Sequence, residues 1–124
     1  MEKVIVIIGT TAVGKTSMSI KLAKHLNTQI INGDAMQVYK GLNIVTDKIS
    51  KDKMDGVTHH LLDIKNIDED YSVEEYQQNI RNLISKINNE GNIPIIVGGT
   101  GLYIKAALYD YSFQKEEISN KEVE

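Results

Sequence analysis

The chain has 124 residues, a length typical of one domain with a single hydrophobic core. Its hydrophobic fraction of 41% and charged fraction of 25% are ordinary for a soluble globular protein, and no apolar run approaches the ~20 residues of a membrane span, so we expect no membrane segment. The formal net charge of −3 argues against a free-standing nucleic-acid binder, while the absence of cysteine excludes disulfides and thiolate metal sites and fits a cytoplasmic location.

The first predicted strand, residues 4–8, is a continuous β-branched run typical of a strand buried on both faces of a parallel sheet. This run is too short for the apolar region of a signal peptide. Gly9 ends the strand, and a helix is predicted over residues 15–26 because Met18, Leu22 and Leu26 recur at helical spacing. Strand, glycine loop and helix therefore follow one another directly.

The loop between this strand and helix matches the phosphate-binding pattern G-x-x-x-x-G-K-[ST] at every fixed position. Its residues are Gly9, Thr10, Thr11, Ala12, Val13, Gly14, Lys15 and Thr16, with Ser17 following. In such a loop the backbone amides and the helix N-terminus attract phosphate oxygens, Lys15 adds a full positive charge, and the hydroxyl of Thr16, helped by Ser17, is placed to bind Mg²⁺. The sequence predicts a di- or triphosphate site. A simple tight turn is less favoured, since a cation at a helix N-terminus is unfavourable without an anion.

A second strand is predicted at residues 28–31, and the polar segment 32–55 is expected to form loops and short helical turns. Because the carboxyl ends of parallel strands share one edge of a sheet, Asp34 should face the phosphate site. A carboxylate there can accept a proton. The alternative is that Asp34 only caps a helical turn and that Gln37 and Tyr39 are ordinary polar surface.

The second half of the chain contains one clear helix and one clear strand. Residues 57–64 form a short strand or an extended segment, and Ser72 with Glu75 forms a capping box for a helix that ends at Gly91. Residues 93–97 are a buried-strand pattern, followed by a glycine turn at 98–101 and a helix at 102–108. Three strands are well supported and a fourth is possible, so we expect an α/β layered fold with a parallel sheet that is incomplete in this chain.

Four segments together resemble the tRNA dimethylallyltransferases. Residues 33–44, GDAMQVYKGLNI, resemble the family segment D-S-x-Q-V-Y-x-x-M-D-I. The phosphate loop resembles G-P-T-A-S-G-K-T, residues 59–64 resemble H-H-x-x-D, and residues 98–103 resemble G-G-T-G-L-Y. The resemblance implies a P-loop NTPase-like fold, with a catalytic core over residues 1–109 and a polar linker, or the start of a missing tRNA-binding insertion, over residues 110–124.

The resemblance also implies the reaction. A dimethylallyl group would pass from dimethylallyl diphosphate to the exocyclic amine of the adenosine adjacent to the tRNA anticodon, with Mg²⁺ as cofactor and the phosphate loop holding the diphosphate leaving group. The implied catalytic residues are Asp34 as general base, Lys15 and Thr100. The residues implied to contact the extruded tRNA base are Asp34, Ala35, Met36, Gln37 and Thr100. We expect a cytoplasmic monomer whose partners are dimethylallyl diphosphate and the anticodon stem-loop, with no membrane or protein partner.

Several of these residues also have a purely structural interpretation. Thr100 could cap a helix, and the glycines beside it could serve only to let two backbones approach. His60 and Asp63 could form a buried hydrogen-bonded pair or contact substrate. Adjacent histidines on a strand point to opposite sides, so His59 and His60 are not expected to form a metal site.

This chain departs from the family pattern at four positions. Thr10 replaces a proline, Ala35 replaces a serine, and Val45 and Asp47 interrupt the family stretch G-T-A-K. Ala35 removes a hydroxyl that could hold substrate or cap a turn. Val45 and Asp47 alter the loop that presents Lys48.

Two other functions stay open. A small-molecule or nucleoside kinase also pairs a phosphate loop with a carboxylate after the second strand, but phosphoryl transfer usually calls on several arginines, and Arg81 is the only arginine in this sequence. The second alternative is a fragment that binds diphosphates without catalysis, since the later segments of the family would lie beyond residue 124.

Overall fold

A computed structural model of the chain describes residues 2–8, 12–40, 49, 51–66, 68–98, 104, 105, 108 and 113–119. In chain order the elements are β1 (Glu2–Ile8), α1 (Ala12–Leu26), β2 (Ile30–Asn32), a 3₁₀ helix (Ala35–Val38), α2 (Lys51–Met54), β3 (His59–His60), α3 (Val73–Asn89), β4 (Ile95–Gly98) and β5 (Phe113–Ser119). The described strands form one parallel sheet in the order β3-β2-β4-β1-β5. The predicted α/β class with a parallel sheet is confirmed.

The central strand of the sheet is β4. Ile95 of β4 lies between Ile5 of β1 and Ile30 of β2 in the pairing register. At the other end of the same strands, Gly98 is paired with Ile8, and Val97 is paired with the last residue of β2. The strands β1, β2 and β4 therefore end together, and we call this end of the sheet the carboxyl edge and the opposite end the amino edge.

The sheet is packed between helices α1 and α3. Alternate residues of each strand point to opposite faces, which separates the buried apolar side chains into two clusters. The cluster under α3 includes Val4, Val6, Ile31, Ile96, Tyr76, Ile80, Ile84 and Ile87. The cluster under α1 includes Ile5, Ile7, Ile30, Ile95, Ile20 and Ala23. Each fully buried isoleucine contributes roughly 1.5–3 kcal/mol of hydrophobic stabilisation, so these two clusters dominate the stability of the layered fold.

Helix α3 has the predicted caps. The Glu75 N–H donates to the Ser72 hydroxyl oxygen at 3.0 Å, and Gly91 follows the helix with a positive φ of 89°. The helix runs antiparallel to the strands, because Tyr76 in its first turn reaches the carboxyl edge and Asn88 near its end reaches Lys3 at the start of β1. None of the described helices has the length and apolarity that a bilayer crossing requires.

The boundaries of several predicted elements differ from the structure. Helix α1 begins at Ala12, three residues before the predicted start, and β2 occupies Ile30–Asn32 instead of residues 28–31. The segment predicted as short turns contains the 3₁₀ helix and α2, as expected. Of the helix predicted at 102–108, the described residues 104, 105 and 108 are helical.

Strand β5 is the main departure from the predicted elements, because the prediction for residues 110–124 is a polar linker. The backbone of Phe113–Ser119 pairs in parallel with the whole of β1, from Glu2 to Ile8. This strand lies at an edge of the sheet, where charged residues are common and a continuous apolar run is not required. Its sequence therefore lacks the pattern by which the buried strands were predicted. Whether this segment leads into an insertion stays a prediction.

Candidate functional site

A cleft of about 60 Å³ lies at the carboxyl edge, where β2, β3 and β4 end. Its polar lining comes from three parts of the chain: helix α1, the end of β2 with the segment that follows it, and β3. The polar side chains in its wall belong to Ser19, Asn32, Asp34, Gln37 and His59. The cleft therefore brings Asp34 together with α1, the helix that follows the predicted phosphate loop.

The backbone around the predicted phosphate loop has the strand, loop and helix order that the motif needs. Strand β1 ends at Ile8 and α1 begins at Ala12. Residues 9–11 and the side chains of residues 12–16 lie outside the described part of the structure, so the roles of Lys15 and Thr16 stay predictions. Ser17 is exposed, whereas Ser19, two residues further along α1, is buried and lines the cleft.

Asp34 lies two residues beyond the end of β2 and is half-buried. Its backbone carbonyl accepts a hydrogen bond from the Gln37 N–H at 3.2 Å, which closes the first turn of the 3₁₀ helix. Asp34 is thus in the position of a helix cap and also lines the cleft, so both of its predicted roles are compatible with its place in the fold. The side chains of Ala35 and Met36 lie outside the described residues.

Asn32 is a residue of this site that the sequence analysis did not single out. Its side chain is 5% exposed and makes three hydrogen bonds to backbone groups. Its Nδ2 donates to the carbonyls of Asp34 at 2.8 Å and Leu61 at 2.9 Å, and its Oδ1 accepts from the Asp34 N–H at 2.8 Å. The available signal was a polar residue that ends an otherwise apolar strand, but an asparagine before a glycine also suggests an ordinary turn.

Backbone hydrogen bonds join the segment that follows Asp34 to the loop after β3. The carbonyl of Val38, which is fully buried, accepts hydrogen bonds from the N–H groups of Ile64 at 2.8 Å and Lys65 at 3.0 Å. The Asp63 N–H also donates to the carbonyl of Gln37 at 3.3 Å. Gln37, which is half-buried and lines the cleft, is therefore attached through its carbonyl group to the loop after β3.

A backbone hydrogen bond defines the tautomer of His59, which lines the cleft. Its Nδ1 lies 2.9 Å from the carbonyl oxygen of Val57, and because a carbonyl can only accept, the proton is on Nδ1. Burial lowers the pKa of His59, although this hydrogen bond acts in the opposite direction. The neutral ring therefore has Nε2 as a hydrogen-bond acceptor near neutral pH.

His60 makes a different contact. Its Nε2 lies 2.5 Å from Gln29 Oε1, and its pKa is lowered first by burial and then by the nearby positive charge of Lys86. Asp63 is exposed, so the interpretation of His60 and Asp63 as a buried pair is wrong. The reason is that Asp63 adopts a left-handed backbone conformation, with φ of 56°, in the loop that turns away after β3.

Gly98 is the one residue of the predicted glycine turn that the structure describes. A Cβ atom at Gly98 would lie 3.1 Å from the carbonyl oxygen of Gly33 and 3.0 Å from Ile104 Cδ1. The Gly33 N–H also donates to the carbonyl of Val97 at 2.7 Å. Gly98 thus permits close backbone approach, as its structural interpretation predicts. Thr100 and the other residues of the turn lie outside the described part.

The predicted site for Mg²⁺ and a diphosphate is the phosphate loop, whose residues 9–11 and whose side chains at 12–16 lie outside the described part, so this assignment stays a prediction. Within the described ranges, no three His, Asp or Glu side chains come together as a metal site. The first turn of α1 contains no acidic residue, so its N-terminal partial charge is available to an anion. Mg²⁺ bound together with substrate phosphates usually has only one or two protein ligands, and the hydroxyl of Thr16 would supply one of them.

A family model described as IPP transferase matches residues 37–124 of this chain. Among curated proteins, the tRNA dimethylallyltransferase of Anoxybacillus flavithermus is 62% identical over 112 residues, which cover 90% of this chain and 36% of that protein. The tRNA dimethylallyltransferase of Bacillus subtilis is 54% identical over 115 residues, which cover 93% of this chain and 37% of that protein. The chain therefore spans little more than a third of these relatives.

Solved structures give the same result. The full-length tRNA isopentenylpyrophosphate transferase of Bacillus halodurans superposes with a TM-score of 0.83 at 49% identity, over 90% of this chain and 37% of that one. A eukaryotic dimethylallyltransferase acting on tRNA superposes with a TM-score of 0.82 at 39% identity, over 92% of this chain and 28% of that one. The fold of this chain is therefore shared with part of these enzymes.

Proposed function

This chain belongs to the IPP transferase family, and from that premise we propose that it supplies the diphosphate site and the general base of a tRNA dimethylallyltransferase. The reaction would move a dimethylallyl group from dimethylallyl diphosphate to the exocyclic amine of the adenosine next to the tRNA anticodon. One observation supports this proposal most strongly: Asp34 and helix α1 line the same cleft at the carboxyl edge.

The diphosphate would lie at the amino end of α1. Backbone amides of residues 9–14 and the Lys15 ammonium group would bind its oxygens, and Mg²⁺ held by Thr16 would neutralise part of its charge. When the bond between the prenyl carbon and the bridging oxygen breaks, negative charge grows on the departing diphosphate. The same amides and ammonium group would bind the transition state, in which this charge has grown, more tightly than the substrate, and this would lower the barrier.

Asp34 would remove the proton that the reaction releases. As the amine nitrogen forms its bond to the prenyl carbon, one N–H proton passes to the Asp34 carboxylate and the diphosphate leaves. General-base help of this kind contributes typically about 10² to 10⁴ in rate. The base must first leave its stack, and the segment 34–37 together with Thr100 would contact it there.

Ligand preference tests the diphosphate assignment. At a free concentration of about 100 times its dissociation constant, dimethylallyl diphosphate should stabilise the full-length protein by about 2.7 kcal/mol. The Lys15→Ala variant should lose this stabilisation. Preferential stabilisation by ATP would instead support a kinase. For turnover, an anticodon stem-loop with adenosine at the target position should accept the dimethylallyl group, and the matched stem-loop with inosine, which lacks the exocyclic amine, should not.

Binding of a diphosphate without turnover is the second candidate for this chain alone. It is favoured by the coverage, since the chain spans 36% of the A. flavithermus relative. Stabilisation by dimethylallyl diphosphate with no transfer to the adenosine stem-loop would identify this case.

A further inference from the structure

The side chain of Asn32 joins three separate parts of the carboxyl edge. It ends β2, donates to the carbonyls of Asp34 and Leu61, and accepts from the Asp34 N–H. We propose that Asn32 is a positioning residue that holds Asp34 at the cleft. The catalytic consequence of this proposal rests on the proposed function, in which Asp34 is the general base.

Only one orientation of the Asn32 amide satisfies these contacts. With Nδ2 toward the two carbonyl oxygens and Oδ1 toward the N–H group, every contact pairs a donor with an acceptor. Rotating the amide by half a turn would place oxygen against two oxygens and nitrogen against an N–H. Aspartate has the same shape but no donor, so it cannot replace asparagine here. In this buried position the unmatched groups would not be hydrated.

The second carbonyl that Asn32 holds belongs to a strained residue. Leu61 has a positive φ of 65°, a backbone conformation that residues other than glycine adopt with difficulty. Such a residue persists only when its surroundings hold it in place. The Asn32 amide supplies one of these contacts, and packing of the Leu61 side chain against the cluster under α3 supplies another.

The backbone of Asn32 is itself fixed to the core. The hydroxyl of Tyr76, a fully buried residue of α3, donates to the carbonyl of Asn32 at 3.0 Å. The Tyr76 ring packs edge-on against Tyr71, with centroids 6.2 Å apart. The position of Asp34 is therefore determined by the core through Asn32, and not only by the loop in which it lies. A base that is displaced by about 1 Å loses about 10²-fold in rate, so this attachment matters for catalysis.

The chain contains a matched control at the opposite edge of the sheet. Asn88 Nδ2 donates to the carbonyls of Lys3 at 2.9 Å and Ile84 at 2.8 Å, and Asn88 Oδ1 accepts from the Lys3 N–H at 2.8 Å. The hydrogen-bond pattern is the same as that of Asn32, but it joins α3 to the start of β1. Asn88→Ser and Asn32→Ser thus remove equivalent bonds, and only the second removes them near Asp34.

The test combines steady-state kinetics with a double-mutant cycle in the full-length protein. We expect Asn32→Ser to lower kcat about tenfold or more with the KM for dimethylallyl diphosphate within about twofold, and Asn88→Ser to leave kcat within about twofold. In an Asp34→Asn background, Asn32→Ser should lower kcat by less than a further factor of about three, because its effect on kcat depends on the Asp34 carboxylate. Additive losses, or an equal kcat loss in Asn88→Ser, would refute the positioning role.

Amide hydrogen exchange tests the attachment independently of turnover. Asn32→Ser should speed exchange about tenfold or more at the Asp34 N–H and in the segment around residue 61, while amides in the middle of α3 keep their wild-type rates. Unchanged exchange at residue 34 would overturn the proposal even if the protein is inactive. Wild-type turnover in Asp34→Asn would instead remove the general-base assignment and leave the exchange result to decide the role of Asn32.

Discussion

The two edges of the sheet use the same side-chain chemistry for different purposes. At the amino edge, Asn88 joins the end of α3 to the start of β1 and is half-buried. At the carboxyl edge, Asn32 makes the same three kinds of bond, but it is buried in a cleft wall beside a carboxylate and a strained loop. The bonds at the amino edge stabilise a packed junction. Those at the carboxyl edge fix groups that remain accessible to a ligand, so stability and turnover should respond separately to changes at the two edges.

The largest stability effect is expected away from the cleft. Ile84 is fully buried under the sheet, one turn before Asn88. Ile84→Ala should lower the free energy of unfolding by about 2–5 kcal/mol, because it removes buried apolar surface and leaves a cavity. Urea unfolding of the full-length protein measures this change, and the exposed Asn82→Ala on the same helix should change it by less than about 0.5 kcal/mol. A strong loss of kcat for Ile84→Ala under folding conditions would contradict the separation of the two edges.

Compared with Ile84→Ala, a substitution at Gly98 should have a smaller effect on stability and a larger effect on turnover. Gly98→Ala would place a methyl group 3.1 Å from the carbonyl oxygen of Gly33, so the backbone that leads into Asp34 would have to shift. Overpacking of this kind costs about 1–3 kcal/mol, and kcat should fall with it. Gly56→Ala is the matched control, because Gly56 has a positive φ of 82° but open space around it. It should lose stability through backbone strain while keeping kcat; equal kcat values in both variants would remove the role of the close approach.

The N-terminal cap of α3 should contribute about 1 kcal/mol to the free energy of unfolding. Ser72→Ala removes the acceptor for the Glu75 N–H, and loss of such a cap costs typically about 1 kcal/mol. Thermal unfolding of the full-length protein measures the loss, and Ser72→Asp should restore the stability because a carboxylate also caps. Turnover should stay near wild type, because the Tyr76 hydroxyl that bonds to Asn32 lies one turn further into the helix and does not depend on the Ser72 side chain. Failure of Ser72→Asp to restore stability would show that the lost cap is not the cause.

The smallest expected effect is a pH dependence from His60. Burial first, then Lys86 and His59, lower the pKa of His60 in the folded state, while Glu90 opposes this shift. Between the folded pKa and the ordinary value of about 6.5, the unfolded chain binds more protons than the folded one. Stability is therefore fully present above about pH 6.5 and falls as the pH drops through the lowered pKa. His60→Gln should reduce this slope in urea midpoints, and an unchanged slope would contradict the assignment.

Local sequence patterns predicted the buried elements well. The β-branched runs gave β1 and β4 to within a few residues, and the capping box of Ser72 gave the start of α3, because these signals lie within one element. Strand β5 was not predicted, since only pairing with β1, over a hundred residues away, defines it. Asn32 was missed for the same reason. Its partners Leu61 and Tyr76 lie 29 and 44 residues further along the chain, and no local pattern links them.

The most direct test of Asp34 as general base is the single-turnover rate of Asp34→Asn in the full-length protein, measured with dimethylallyl diphosphate and the adenosine stem-loop. The substitution keeps the size of the side chain and removes its ability to accept the amine proton. If Asp34 is the general base, the rate should fall by about 10² to 10⁴, with the affinity for dimethylallyl diphosphate within about twofold of wild type. A wild-type rate in Asp34→Asn, or a loss explained entirely by weaker diphosphate binding, would contradict this assignment.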